Sequence, residues 1–113
     1  MDLKELAKTK EAGNELFKAK KYEEAITTFK QAITAIEKQE SKDFLARETE
    51  VSKLYVICLI NAALACISLK KVERYEEAIG FCSKALSVDP DNVKALYRRG
   101  LATRERAETV ERE

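Results

Sequence analysis

The chain has 113 residues, 45% of them hydrophobic and 36% charged, with one proline and three glycines; that is enough to bury one modest core without staples, and with no strand signal in sight it predicts an all-α single domain. The 21 basic and 20 acidic side chains nearly cancel, which excludes the broad basic field that grips a phosphate backbone, so no nucleic acid is expected as a partner. The longest apolar run, Leu54 to Leu69, is broken by Asn61 and Ser68 and falls short of the roughly 20 residues that cross a bilayer, and Met1-Asp2-Leu3-Lys4-Glu5-Leu6 has no secretory pattern; no membrane and a cytoplasmic address are expected. Cys58, Cys66 and Cys82 are odd in number, sit in apolar helical surroundings and form no Cys-x-x-Cys pair, and the chain has no histidine. They read as small core hydrophobes, with no metal and no cofactor expected.

The first helical segment runs from about Leu3 to Ala19, with Leu6, Ala12, Leu16 and Phe17 expected on one side. After a polar break at Lys18-Ala19-Lys20-Lys21, Glu23 and Glu24 suit the positive end of a second helix, whose stripe is Ala25, Phe29, Ala32 and Ile36 backed by Ile26 and Ile33. The third helix is expected from about Phe44 to Leu69, with Ser41 or Asp43 as a cap, and its near all-round apolarity between Leu54 and Ile67 marks it as the central, most buried one. Tyr22-Glu23-Glu24-Ala25-Ile26 then returns 53 residues later as Tyr75-Glu76-Glu77-Ala78-Ile79, and Lys30-Gln31-Ala32-Ile33 is echoed by Ser83-Lys84-Ala85-Leu86. One helix-pair unit is used twice. Pro90 ends the second copy, Asp91-Asn92 can cap a last helix carrying Val93, Leu96, Tyr97 and Leu101, and Arg104 to Glu113 reads as a solvated helix end or a frayed tail.

Small and aromatic residues recur where two helices must approach closely: Gly13, Leu16, Ala25, Phe29 and Ala32 in the first copy, Ala63, Cys66, Ala78, Cys82, Ala85 and Pro90 in the second, and Gly100 opening a third. In this pattern the chain resembles the tetratricopeptide repeat, a 34-residue helix-turn-helix unit that stacks into a superhelix with a concave groove. The resemblance implies a superhelix of antiparallel helix pairs with two full repeats and the first helix of a third: repeat 1 over about 3–40, an inserted or extended helical segment over about 39–55, repeat 2 over about 56–90 and partial repeat 3 over about 91–113. The insertion is expected to lengthen its two flanking helices, and a smaller one near Lys71 to Glu73 to widen the turn of the second repeat. The third repeat stops early, with Arg112 where the second helix should offer alanine. A long stretch between the first two repeats is similar to the tetratricopeptide domains of immunophilin co-chaperones; no prolyl isomerase domain is visible, so the likeness concerns the module and not that activity.

Lys94 and Arg98 stand four apart, about 6 Å from one another on one helix face, and like charges at that spacing cost a few tenths of a kcal/mol, which asks for an anion between them. Lys10 and Asn14 share the spacing near the N-terminus, and Asn61 interrupts the apolar helix. These five match, residue by residue, the dicarboxylate clamp of the subset of tetratricopeptide domains that binds the Glu-Glu-Val-Asp C-terminus of the 90-kDa and 70-kDa heat-shock chaperones. The resemblance therefore implies a co-chaperone or adaptor with Lys10, Asn14, Asn61, Lys94 and Arg98 on the peptide carboxylates, and Phe17 and Leu64 at a small pocket for the ligand valine. Taken singly, Lys10 and Lys94 also read as surface lysines, Phe17 and Leu64 as core, and Asn61 as a tie to a neighbouring helix. Arg99 is expected in solvent. With no nucleophile-base pair and no phosphate loop, no enzyme is expected. A competing function is a self-associating scaffold: without a final helix, the apolar side of the last helix is open to a second copy, a homodimer.

Overall fold

Five α-helices arise where periodicity and capping chemistry agree. The structure, a computed structural model, describes residues 1–39 and 49–112, and contains α1 (Leu3–Lys18), α2 (Tyr22–Glu37), α3 (Glu50–Ser68), α4 (Val72–Val88) and α5 (Val93–Arg112), with no strand among the described residues. Asp2 caps α1 by accepting the Glu5 amide at 2.8 Å, and Asn92 caps α5 by accepting that of Ala95 at 2.9 Å. At the start of α3, Thr49 and Ser52 exchange side-chain and backbone bonds in a capping box. The expected start near Phe44 is thus corrected to Glu50, while the candidate caps Ser41 and Asp43 lie outside the described residues. Nor is α2 lengthened by the insertion that follows it: it has 16 residues, like α1, whereas α3 has 19.

The turns inside both repeats end their first helix in one way. Lys20, at φ 64°, donates its amide to the Phe17 carbonyl, and the Lys21 amide reaches that of Leu16, a Schellman closure in which lysine takes the left-handed position glycine usually fills. Lys70 takes the same left-handed position at φ 56° after α3 and donates to the Ile67 carbonyl.

Each helix packs on its sequence neighbours, and α3 also touches α1 and α5, so α1, α3 and α5 form one layer and α2 and α4 the other. The bundle extends 44 × 29 × 22 Å, the elongated outline of stacked helix pairs. Its core is α3, on which Cys58, Leu59, Ala62, Ala63, Ala65 and Cys66 are fully buried, met by Phe29, Ala32 and Ile36 of α2 and Ala78, Cys82 and Ala85 of α4. α3 has the length and hydropathy to cross a bilayer despite the interruptions at Asn61 and Ser68, but 67% of that stretch is buried inside the bundle, which accounts for its apolarity. On α1 the buried stripe is Leu6 and Gly13, with Leu16 and Phe17 half-buried; Ala12 is exposed, contrary to expectation. At 3.6 residues per turn Gly13 lies almost directly above Leu6, and Ala12 does not.

Side chains brace one repeat against the other. Glu37 of α2 accepts from Tyr55 of α3 at 2.7 Å and from Lys84 of α4 at 2.9 Å, while Arg74 and Glu77 of α4 pair with Glu23 and Lys30 of α2 at 2.7 and 2.8 Å. Burial alone would raise the Glu77 carboxyl, but the bonds from Lys30 and Arg74 outweigh it and hold it below its ordinary range. The charged end of α5 stays helical to Arg112, solvated rather than frayed, with Arg106 3.6 Å from Glu76 of α4.

Candidate functional site

The first helix of each repeat presents polar groups on the layer formed by α1, α3 and α5. Asn61 interrupts α3 one residue after Ile60, and its Nδ2 donates to Asn14 Oδ1 of α1 at 3.0 Å. The tie to a neighbouring helix is therefore present. It also fixes chemistry: Asn14 spends its acceptor on Asn61 and keeps its two N–H donors, while Asn61 retains one N–H and its carbonyl oxygen. On α5, Arg98 turns toward the same point and donates through Nη1 to the Ile60 carbonyl at 2.7 Å, leaving four of its five N–H groups. Burial pulls its guanidinium below the ordinary value, yet it stays charged at any physiological pH.

Groups from α1, α3 and α5 thus meet around Ile60 and Asn61. Lys10, one turn before Asn14, is largely covered, with 22% of its side chain accessible, and pairs with Glu11 at 3.2 Å. Its charge is felt by the Cys58 thiol of α3, which burial pushes up to about 11 and Lys10 partly draws back. Lys94 stands apart, exposed near the start of α5 and without a polar partner among the described residues. With Lys94 in solvent and Arg98 turned to a carbonyl, the pair tolerates its proximity without an intervening anion. The case for an anion rests instead on three cations and unspent amide donors on adjoining helices.

Phe17 and Leu64 are both half-buried. The Phe17 ring packs against Tyr22 of α2, with centroids 5.3 Å apart and planes tilted by 59°. Sequence reasoning missed three contacts here. The Asn14–Asn61 bond joins residues 47 apart, the Arg98 anchor is a main-chain carbonyl that no residue type marks, and Tyr22 was visible only as part of the repeated signature. Arg99, expected in solvent, is half-buried and with Arg98 draws back the Cys82 thiol, which burial raises to about 11.

A family model described as tetratricopeptide repeat matches residues 11–39 and 59–92, which take in Asn14 and Asn61. The chain is 37% identical over 98 residues to peptidyl-prolyl cis-trans isomerase FKBP42 of Arabidopsis thaliana, across 82% of this chain and 25% of that protein. It is 31% identical over 93 residues to peptidyl-prolyl cis-trans isomerase FKBP4 of Mus musculus and to that of Rattus norvegicus, across 82% of this chain and 19% of each relative. The chain therefore spans a quarter or less of the length of the curated relatives it matches.

Proposed function

This chain belongs to the tetratricopeptide-repeat family of protein-protein interaction modules, and from that premise we propose that it is a co-chaperone or adaptor module that receives the free C-terminus of a heat-shock chaperone of the 90-kDa or 70-kDa class, ending in Glu-Glu-Val-Asp. Lys10, Asn14, Asn61, Lys94 and Arg98 hold its carboxylates, and Phe17 and Leu64 border the ligand valine. The observation that carries this reading is that α1 and α5 bond to adjacent residues of α3, Asn61 to Asn14 at 3.0 Å and Arg98 to Ile60 at 2.7 Å.

A terminal aspartate presents two carboxylates, and ammonium, guanidinium and amide donors on three helices hold both while rejecting an amidated or internal segment. Charge-assisted bonds contribute on the order of 1.5–3 kcal/mol each, and less the ordering of a flexible tail they leave micromolar affinity, about −8 kcal/mol. The module itself is non-enzymatic.

Fluorescence polarisation with a labelled Glu-Glu-Val-Asp peptide, free acid beside amide, tests this. Micromolar binding of the acid that weakens with salt and vanishes on amidation is expected; equal or absent binding of both retires the clamp. A second reading, self-association through the open side of α5, is favoured by the exposure of Val93, Leu96 and Tyr97 on one helix.

A further inference from the structure

Six large hydrophobic side chains are exposed among the described residues, and four of them, Val93, Leu96, Tyr97 and Val110, belong to α5. The first three share a stripe with Gly100, Leu101 and Arg104, and residues 96–104 of that stripe line a shallow groove on the helix. In the first repeat the glycine face is covered: a Cβ on Gly13 would come within 2.5 Å of the Phe29 ring brought by α2. A Cβ on Gly100 would meet nothing within 4 Å. α5 thus carries a seat for a ring and, among the described residues, no helix that fills it.

We infer that a second copy of this chain fills it: two α5 helices pack antiparallel about a two-fold axis, the Tyr97 ring of each copy over Gly100 of the other. This rests on the self-association reading above and gives it a geometry. The tyrosine is available, since the residue is 68% exposed. Opposing Tyr97 to Gly100 puts the axis midway between Arg98 and Arg99, so Leu96 meets Leu101 of the second copy and Val93 meets the aliphatic stem of Arg104.

Registers slid by seven residues, two helical turns, to either side fail, since they set Leu96 against Glu108 or Leu101 against Asp89, and a parallel pairing sets Arg104 on Arg104. In the antiparallel register Arg104 instead lies beside the acidic Asp89-Pro90-Asp91 turn of the other copy, opposite charges at each end of the contact. Arg98 stays out of the contact, held on the Ile60 carbonyl. A handful of side chains per copy buries well below the roughly 1,600 Å² of a standard interface, so the dimer is weak, with a Kd on the order of 100 μM.

Sedimentation equilibrium of the 113-residue chain across that concentration range should show reversible monomer and dimer. Tyr97→Ala should weaken association at least fivefold. Gly100→Leu should do the same without lowering the melting temperature, because its added side chain has open space within its own copy and only the incoming ring loses its seat. Val93→Cys mixed with Arg104→Cys under mild oxidation should give a disulfide-linked heterodimer that neither variant forms alone, the native cysteines being buried. A strict monomer throughout overturns both this pairing and the self-association reading. A dimer that Gly100→Leu tightens, or in which Val93→Cys links to itself, leaves self-association standing and overturns this register.

Discussion

Arg98 does two things that Lys94 does not. It is half-buried and donates to the Ile60 carbonyl, whereas Lys94 is exposed and free of polar partners among the described residues. The sequence alone suggests two equivalent cations on one helix face. The structure separates them: Lys94→Ala and Arg98→Ala should each weaken peptide binding at least tenfold, but only Arg98→Ala should also cost about 1 kcal/mol of stability in urea unfolding, by the loss of a charge-assisted bond. Glycines divide likewise. Gly13→Ala drives a methyl into the Phe29 ring and should destabilise by about 1–3 kcal/mol, while Gly80→Ala, with nothing within 4 Å, should gain about 1 kcal/mol from helix propensity. All five clamp candidates were legible in the sequence as residue types at a spacing. What each one touches was not, because a carbonyl acceptor such as that of Ile60 and a partner 47 positions away leave no local trace.

Among the elements, caps and closures decide where helices begin and end. Asp2 and Asn92 were readable as side chains that bond their own helix's first turn, and Asn92 was anticipated. The start of α3 was misjudged because hydrophobic periodicity fades before Leu54, and the capping box of Thr49 and Ser52 sets the boundary instead. Lys20 and Lys70 sit at φ 64° and 56°, a backbone region that costs a residue with a Cβ roughly 1–2 kcal/mol. Lys20→Gly and Lys70→Gly should each raise the unfolding free energy by up to about 1 kcal/mol, after allowance for glycine's freer unfolded chain, read as a higher urea midpoint. A fall in the midpoint would show that these lysines stabilise their turns by contacts beyond the backbone.

For the whole molecule, the two-layer stack follows from the repeat, and the repeat followed from Tyr-Glu-Glu-Ala-Ile occurring twice. The apolar stripe of α5 was readable as well, but only the packing reveals that Val93, Leu96 and Tyr97 face outward while Ala95 and Ala102 are buried in the core. The three buried thiols give the bundle a pH signature. Burial raises Cys58 and Cys82 to about 11 and Cys66 to about 12 from an ordinary 9.0. Their contribution to stability is complete below about pH 9 and is lost as pH rises through these values, since the unfolded chain releases protons that the fold retains. A lower melting temperature at pH 10 than at pH 7.5, with thiol reagents inert until urea is added, is the expected result.

The layering also sets which helix lets go first. α3 is gripped by α2 and α4 and flanked by α1 and α5, while α5 has α4 and one edge of α3. Amide hydrogens should therefore exchange slowest in α3 and fastest along α5, the helix that supplies Lys94 and Arg98. An acidic tail held at once by α1, α3 and α5 would have to quiet that opening as it binds, so its affinity includes the work of tightening α5. Slowed exchange would then spread along α5 to amides that touch no ligand atom.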